Sequence, residues 1–479
     1  MKQEMEIREF PLKDKLIVAF QTQKQTLFAN ESETLQQTRQ EAFNRFVAEG
    51  FPRTNQEIWR NTDLTHALSQ DYAVELHPQD FKDQKDLLQC NVPHLEAYQM
   101  VVANGWFYPK TGKLETLTGG IIVGSLAEAM KLHPELIHTY FDSMTQKSSE
   151  GLIALNTAMA TDGFFVYIPD GVICEMPLQI VNVMRSQNTE FLNIRNLVII
   201  GKNSSLTLIQ CDDSYNHTPG FANVVTEVIV GENSGFEHYK MQNLNNETTL
   251  INSIFIHEEA NSRVNSMAVS LNGGSIRNNI DIKLDGEGSN ANVYGLYLMD
   301  KNQHVDNYVH IDHLKPHTTS NELFKGILDD SATAVFNGHV KVWPNAQKIE
   351  AFQSNKNLLL TDKALVNTKP FLEIYADDVK CSHGATVGQL DTEAMFYLRS
   401  RGISIQSART LLMYAFADEV IQKIVIEALK VRLEDMVKKR LQGELTICDQ
   451  CVLHCDHVEK QYSFEIDMTK IGETGKSHC

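Results

Sequence analysis

The sequence predicts a mainly β protein, a stacked β-solenoid core flanked by N-terminal and C-terminal α-helical regions. Three observations carry that prediction. Short β-rich runs recur through the middle of the chain with no helical pattern of comparable strength between them, which argues against parallel strands joined by helices. Asn, Gly and Asp collect between the runs, as in NLNNETT, SLNGGS and LDGEGSN, where left-handed backbone geometry costs little. Before and after this region, apolar residues fall at three- and four-residue spacing, the mark of helices with one buried face.

Residues 1–95 read as a helical region. TLQQTRQEAFNRFVAEG places Ala42, Phe43, Phe46 and Val47 on one face and Gly50 at the C-terminal stop. The Pro-containing turn and short helix of GFPRTNQEIWRNTDL follow, with Trp59 as a packing anchor. Residues 96–383 form the β core, whose runs include FFVYIP, LNIRNLVIIG, NVVTEVIVG, IDIKLDG, NYVHIDH and HVKVWP, starting roughly 10–17 residues apart. Such a succession is long for one sandwich and suits coils that each bury an apolar side on the next. Two consecutive sandwiches or a large barrel satisfy the same periodicity. Residues 384–445 return to helix: Leu390, Asp391, Thr392 and Glu393 supply capping groups, AMFYLRSR is amphipathic, and Gly402 ends it. The apolar pattern over 407–441 marks two helices or one bent helix, with Lys438, Lys439 and Arg440 as a solvated basic cluster at its end. Residues 446–479 form a Cys/His-rich tail.

The chain has 479 residues, too many for one ordinary core. Its formal net charge of −18 disfavours nucleic acid or an anionic membrane as partner. The N-terminus mixes charges of both signs with no apolar stretch of signal-peptide kind, and no window approaches the ~18 apolar residues of a membrane helix. A cytoplasmic protein is expected. Of its eight cysteines, Cys448, Cys451, Cys455 and Cys479 crowd the C-terminus, a grouping that in a reducing compartment points to metal or redox chemistry.

Three clusters hold donor atoms. Cys381 and His383 sit where strand gives way to helix; at i and i+2 of an extended segment they point to one face and reach one metal or partner. CDQCVLHCDH spaces Cys448, Cys451 and Cys455 as C-x2-C-x3-C, and with His457 as the fourth ligand encloses zinc or iron; His454 and Cys479 are alternatives. In HVDNYVHIDHLKPH, alternation puts Asp306, His310 and Asp312 on one strand face, which reads as a weak iron site or, more commonly, a polar ladder. The pairs Gly119-Gly120 and Gly273-Gly274 lack the Lys-Ser/Thr of a P-loop, so no nucleotide site is expected.

Four segments resemble the SufB/SufD family of iron–sulfur cluster assembly proteins: GFPRTNQEIWRNTDL (50–64), YIPDGVICEMPLQI (167–180), FNGHVKVWPNAQKIEAFQSNKNLLL (336–360) and NTKPFLEIYADDVKCSHGATVGQLDTEAMFYLRSRGI (367–403). Within it the chain is similar to the SufD branch. SufB-type chains carry a cysteine where this one has Asn355, and usually a glutamate where it has His383. The resemblance implies a right-handed parallel β-helix, pairing with SufB through the β-helices, and one copy of the ATPase SufC held by the C-terminal helices. It implies a transient Fe–S cluster at the SufB–SufD interface, with His383 as a ligand and Cys381 a weaker candidate. The tail is not part of this resemblance. A homodimeric Fe–S or metal scaffold without SufB, and a β-solenoid carbohydrate-active enzyme, are the rival readings.

Overall fold

A computed structural model describes residues 10–29, 31–78, 92, 94–108, 113–185, 188–214 and 217–442. The tail calls Cys448, Cys451, Cys455 and His457 lie outside the described residues. Helices α1 (Pro11–Leu27), α2 (Glu33–Glu49) and α3 (Thr65–Leu68) open the chain. The Ser32 side chain caps α2 by accepting from the Leu35 N–H, and Gly50 closes it with φ +70°. Four short strands follow, β1 (Tyr98–Ala103), β2 (Trp106–Tyr108), β3 (Leu114–Thr116) and β4 (Ile122–Ser125), then α4 (Leu126–Leu132), α5 (Pro134–Tyr140) and α6 (Gly151–Met159). These last three fall in the stretch read from sequence as β core. Helix α6, GLIALNTAM, is buried along its whole length, so it has no polar face and no helical periodicity to read.

The solenoid runs through β5 (Phe164–Ile168), β6 (Leu178–Met184), β7 (Glu190–Ile200), β8 (Ser205–Ser214), β9 (Gly220–Val230) and β10 (Gly235–Asn243). It continues through β11 (Thr248–Glu258), β12 (Arg263–Asn272), β13 (Ser275–Leu284), β14 (Asn290–Met299) and β15 (His304–His313). Its last strands are β16 (Thr319–Leu328), β17 (Thr333–Val342), β18 (Ile349–Leu359), β19 (Leu365–Ile374) and β20 (Val379–Gly388). From β5 on, odd strands pair in parallel in one sheet and even strands in the other, about eight coils in all. The two sheets face each other across a filled interior. Successive register partners Ser205, Gly235, Arg263, Asn290 and Thr319 set 27–30 residues per coil. That variation explains why the runs show no tight repeat consensus.

The corners are built as the composition suggests. Asn203, Asn233 and Asn261 occupy one corner of successive coils, all with φ of 55–57°, a conformation Asn tolerates and most residues do not. Inside, Val224, Val228, Ile254, Ile280, Ile282, Val309 and Ile311 stack from coil to coil. At roughly 1.5–3 kcal/mol for each fully buried aliphatic side chain, this column dominates the stability of the solenoid. Gly326 admits the Tyr297 ring, since a Cβ there would stand 2.0 Å from it.

Both outer faces are partly covered. On the odd sheet, Phe191, Phe221 and Ile251 pack under the N-terminal helices with Phe43, Phe46, Leu155 and Trp59. There Arg277 lies 3.9 Å over the Trp59 ring and pairs with Asp306, both fully buried. On the even sheet, Leu296, Leu298, Leu323 and Ile327 pack under helices α8 (Ile405–Ile421) and α9 (Glu427–Leu441), which follow α7 (Thr392–Ser400). The apolar pattern over 407–441 is thus two helices. Arg440 is not solvated as expected: it is 8% exposed, 2.7 Å from Asp300, and its Nε donates to the Leu271 carbonyl at 2.8 Å. Its neighbours Lys438 and Lys439 pair along the helix with Glu434 and Asp435. No described helix is long and apolar enough to cross a membrane.

Candidate functional site

The last coil is where the donor residues lie. Cys381 and His383 are interior residues of β20, and helix begins only at Thr392, capped by the Asp391 carboxylate, which accepts from the N–H groups of Glu393 and Ala394. The solenoid therefore runs past His383 to Gly388. On β18 the residues Ile349, Ala351, Gln353, Asn355 and Asn357 face inward and are buried, alternating with more exposed neighbours. Parallel register carries this column onto β20 as Val379, Cys381, His383, Ala385 and Val387. Among the described residues no further coil covers it. Val379 and Cys381 still pack on the core, while every residue from Ser382 to Val387 is exposed.

Cys381 and His383 thus share a face, as their spacing predicts, but in different surroundings. Burial pushes the Cys381 thiol pKa up, partly offset by the Ala351 N–H, so at neutral pH the group is a protonated thiol against the apolar interior. His383 projects at the open end and is free to meet a ligand from outside. One exposed imidazole beside one half-buried thiol offers two donor types that suit soft and borderline metal ions.

Asn355, next inward, is tied into a closed polar knot. Its Nδ2 donates to the Tyr297 Oη at 3.1 Å, its Oδ1 accepts from Asn357 Nδ2 at 2.7 Å, and the Tyr297 hydroxyl donates to Asn357 Oδ1 at 2.6 Å. All three residues are buried, and the knot fills the interior at this level of the coil. Two residues toward the start of the strand, Glu322, Gln353 and His383 lie in register on β16, β18 and β20. Gln353 Nε2 donates to Glu322 Oε1 at 2.9 Å. Burial pushes the Glu322 carboxyl up to about 8, with the Gln353 hydrogen bond and His310 opposing. Neither Glu322 nor Gln353 stands out in the sequence; alternation along AFQSNKN is the signal that would have placed Gln353 on the inner face.

The histidine run divides among separate tasks. His304 lies 3.0 Å from the Thr62 hydroxyl and 2.7 Å from that of Thr333, and Asp306 is held by Arg277 and Thr62 under the helices. His313 turns inward to Thr318 and Ser320. His310 remains on the outer face: its Nδ1 is 3.1 Å from Asp281, and its ring stacks 4.8 Å from His339, which in turn meets Glu373 at 3.1 Å. Burial opposes protonation of His310, but the Asp281 hydrogen bond and charge outweigh it and raise its pKa. Alternation was right for Asp306, His310 and Asp312, yet Asp306 belongs to another contact. Among the described residues, no three His, Cys, Asp or Glu side chains are grouped to hold a metal ion. The face is a polar ladder.

Beyond the coil, α7 exposes Phe396 (75%) and Tyr397 (58%), while α8 and α9 are fixed to the solenoid. There the buried Lys325 donates to the Phe416 carbonyl at 2.8 Å and pairs with Glu419.

Comparison with known sequences agrees over most of the chain. Residues 182–416 match the family model described as SUF system FeS cluster assembly, SufBD core domain, and residues 11–180 that of the SufBD protein N-terminal region. The chain is 31% identical to an iron-sulfur cluster assembly SufBD family protein of Synechocystis, over 86% of this chain and 92% of that one. It is 29% identical to the iron-sulfur cluster assembly protein SufD of Escherichia coli, over 87% and 96% of the two chains, and 29% identical to SufD of Bacillus subtilis, over 67% and 74%.

Proposed function

The chain belongs to the SufBD family of the SUF iron–sulfur cluster assembly system, and from that premise we propose that it is the SufD-type, non-ATPase subunit of a SufBCD complex. In this reading it pairs with SufB through the open end of its solenoid, its C-terminal helices hold one SufC, and ATP hydrolysis belongs to SufC. The nascent cluster forms between the two β-helices, with His383 supplied by this chain and the principal thiol by SufB.

The observation that carries the reading is the unfinished coil. Among the described residues β19 and β20 end their sheets, each pairing with one neighbour, so two ten-residue parallel strands present backbone N–H and C=O groups along one edge. Leu365, Phe371, Ile374, Tyr375 and Val387 are 39–57% exposed around them. Long apolar edges are an aggregation hazard unless another chain's strands cover them. The ligand assignment is supported by the exposed His383 on that edge and by Asn355 being bound into the interior.

The test is coexpression with SufB and SufC, comparing wild type with His383→Ala. The variant should fold and copurify normally but yield less cluster by iron, sulfide and visible absorbance. Normal cluster yield would remove His383 from the site. A stable homodimer that holds a full cluster with SufB absent would favour the homodimeric scaffold instead.

A further inference from the structure

We propose that Gln353 is a positioning residue that fixes the tautomer and aim of His383, with Glu322 holding the Gln353 amide in one orientation. The proposal rests on the reading of His383 as a cluster ligand.

Gln353 is 4% exposed, inside the last covered coil. Its two amide atoms are treated differently. Nε2 donates to Glu322 Oε1 at 2.9 Å, whereas Oε1 is buried and has no hydrogen-bond partner among the described residues. A buried acceptor left unmade costs roughly 1–3 kcal/mol, so such an atom usually serves a group that arrives or reorients. The register supplies that group: His383 is the β20 neighbour of Gln353 on the same inner face, and adjacent strands lie ~4.8 Å apart. An imidazole N–H reaches across such a gap.

Glu322 decides which end of the amide is offered. Its Oε1 accepts from Nε2, and once the carboxyl is ionised, above about pH 8, it can only accept, so a flipped amide would set two acceptors against each other and turn an NH2 group toward His383. Gly338 on the opposite sheet keeps the space open; a Cβ there would stand 3.1 Å from Gln353 Nε2 and 2.9 Å from the Phe336 ring. The consequence is directional. A neutral imidazole that donates from one nitrogen to Gln353 Oε1 carries its lone pair on the other, which then points out of the open coil toward the cluster. Partners of this kind that orient a ligating histidine typically contribute 10–100-fold in metal affinity or activity.

The test uses the full chain labelled with 15N-histidine, with the His383 signals assigned by their loss in His383→Asn. Long-range 1H–15N correlations at a pH where the ring is neutral should show one tautomer for His383 in wild type. Gln353→Met should give a mixture of tautomers, and Glu322→Met, which removes the acceptor for Nε2, a partial mixture. In the complex with SufB and SufC, Gln353→Met should lower cluster yield about tenfold while copurification is unchanged. A single tautomer that persists in both Gln353→Met and Glu322→Met overturns the proposal and leaves the ligand reading standing. Full cluster yield in His383→Ala overturns the ligand reading, and the positioning role falls with it whatever the tautomer.

Discussion

The two ends of the solenoid are made of the same kind of strand and are finished in opposite ways. At the first end the parallel ladders hand over to antiparallel pairs: β4 and β3 continue the odd sheet and β1 with β2 the even one. The outer face of the odd sheet is sealed by the N-terminal helices, and the buried arginines at that cover, Arg39 on α2, Arg195 on β7 and Arg277 on β13, are each paired with carboxylates. At the last end β19 and β20 stop with free edges, and an inner column that is buried at Gln353 emerges into solvent at His383. A coil is stable because the next one covers it. Among the described residues no next coil and no cap covers this last end, which is the surface assigned above to the proposed partner.

Substitutions under the helical cover, in the interior and at the open end should separate stability from assembly. The largest stability effect is expected from Arg277→Met, which leaves the buried Asp306 unpaired and should cost about 3–5 kcal/mol, read as a lowered unfolding midpoint. A midpoint close to wild type would mean that the helical cover is not fixed through this pair. A similar cost, about 3–5 kcal/mol, is expected for Phe324→Ala in the interior. Phe371→Ala at the open end, where the ring is 46% exposed, should change stability by no more than about 0.5 kcal/mol. It should nonetheless weaken copurification with SufB; equal effects of the two substitutions on stability would erase the contrast between the ends.

The buried Glu322 adds a pH signature. Its folded pKa of about 8 lies above the ordinary carboxylate range, so the folded state holds the proton more tightly than the unfolded chain. Its contribution is full at acid pH and lost as pH rises through about 8. Glu322→Gln should therefore flatten the fall in stability between about pH 5 and 8, partially, because Glu258 is also pushed up to about 8 by burial. An unchanged slope, measured by unfolding across that range, would show that Glu322 ionises in place. The smallest effect is expected from Lys369→Ala, which breaks a solvent-exposed pair with Glu57 and should leave the unfolding midpoint at the wild-type value.

Much of this was legible in the chain. Alternation within 5- to 11-residue runs, Asn and Gly at the corners, and helical spacing at both ends are local properties, so the sequence alone determined the β-rich core, its helical flanks and the turns between strands. Motifs around Asn355 and His383 carried the family for the same reason, since a resemblance is a property of residue order. The all-apolar α6 was missed because a helix buried on every side has no period to read. Only the tertiary structure decided which residues meet across coils. Register along the solenoid is set by stacking, with partners 26–32 residues apart, and no local pattern records it. Stacking placed Glu322, Gln353 and His383 in one column, sent Asp306 to Arg277 instead of to His310, and left Cys381 against the core while His383 stood at the open edge.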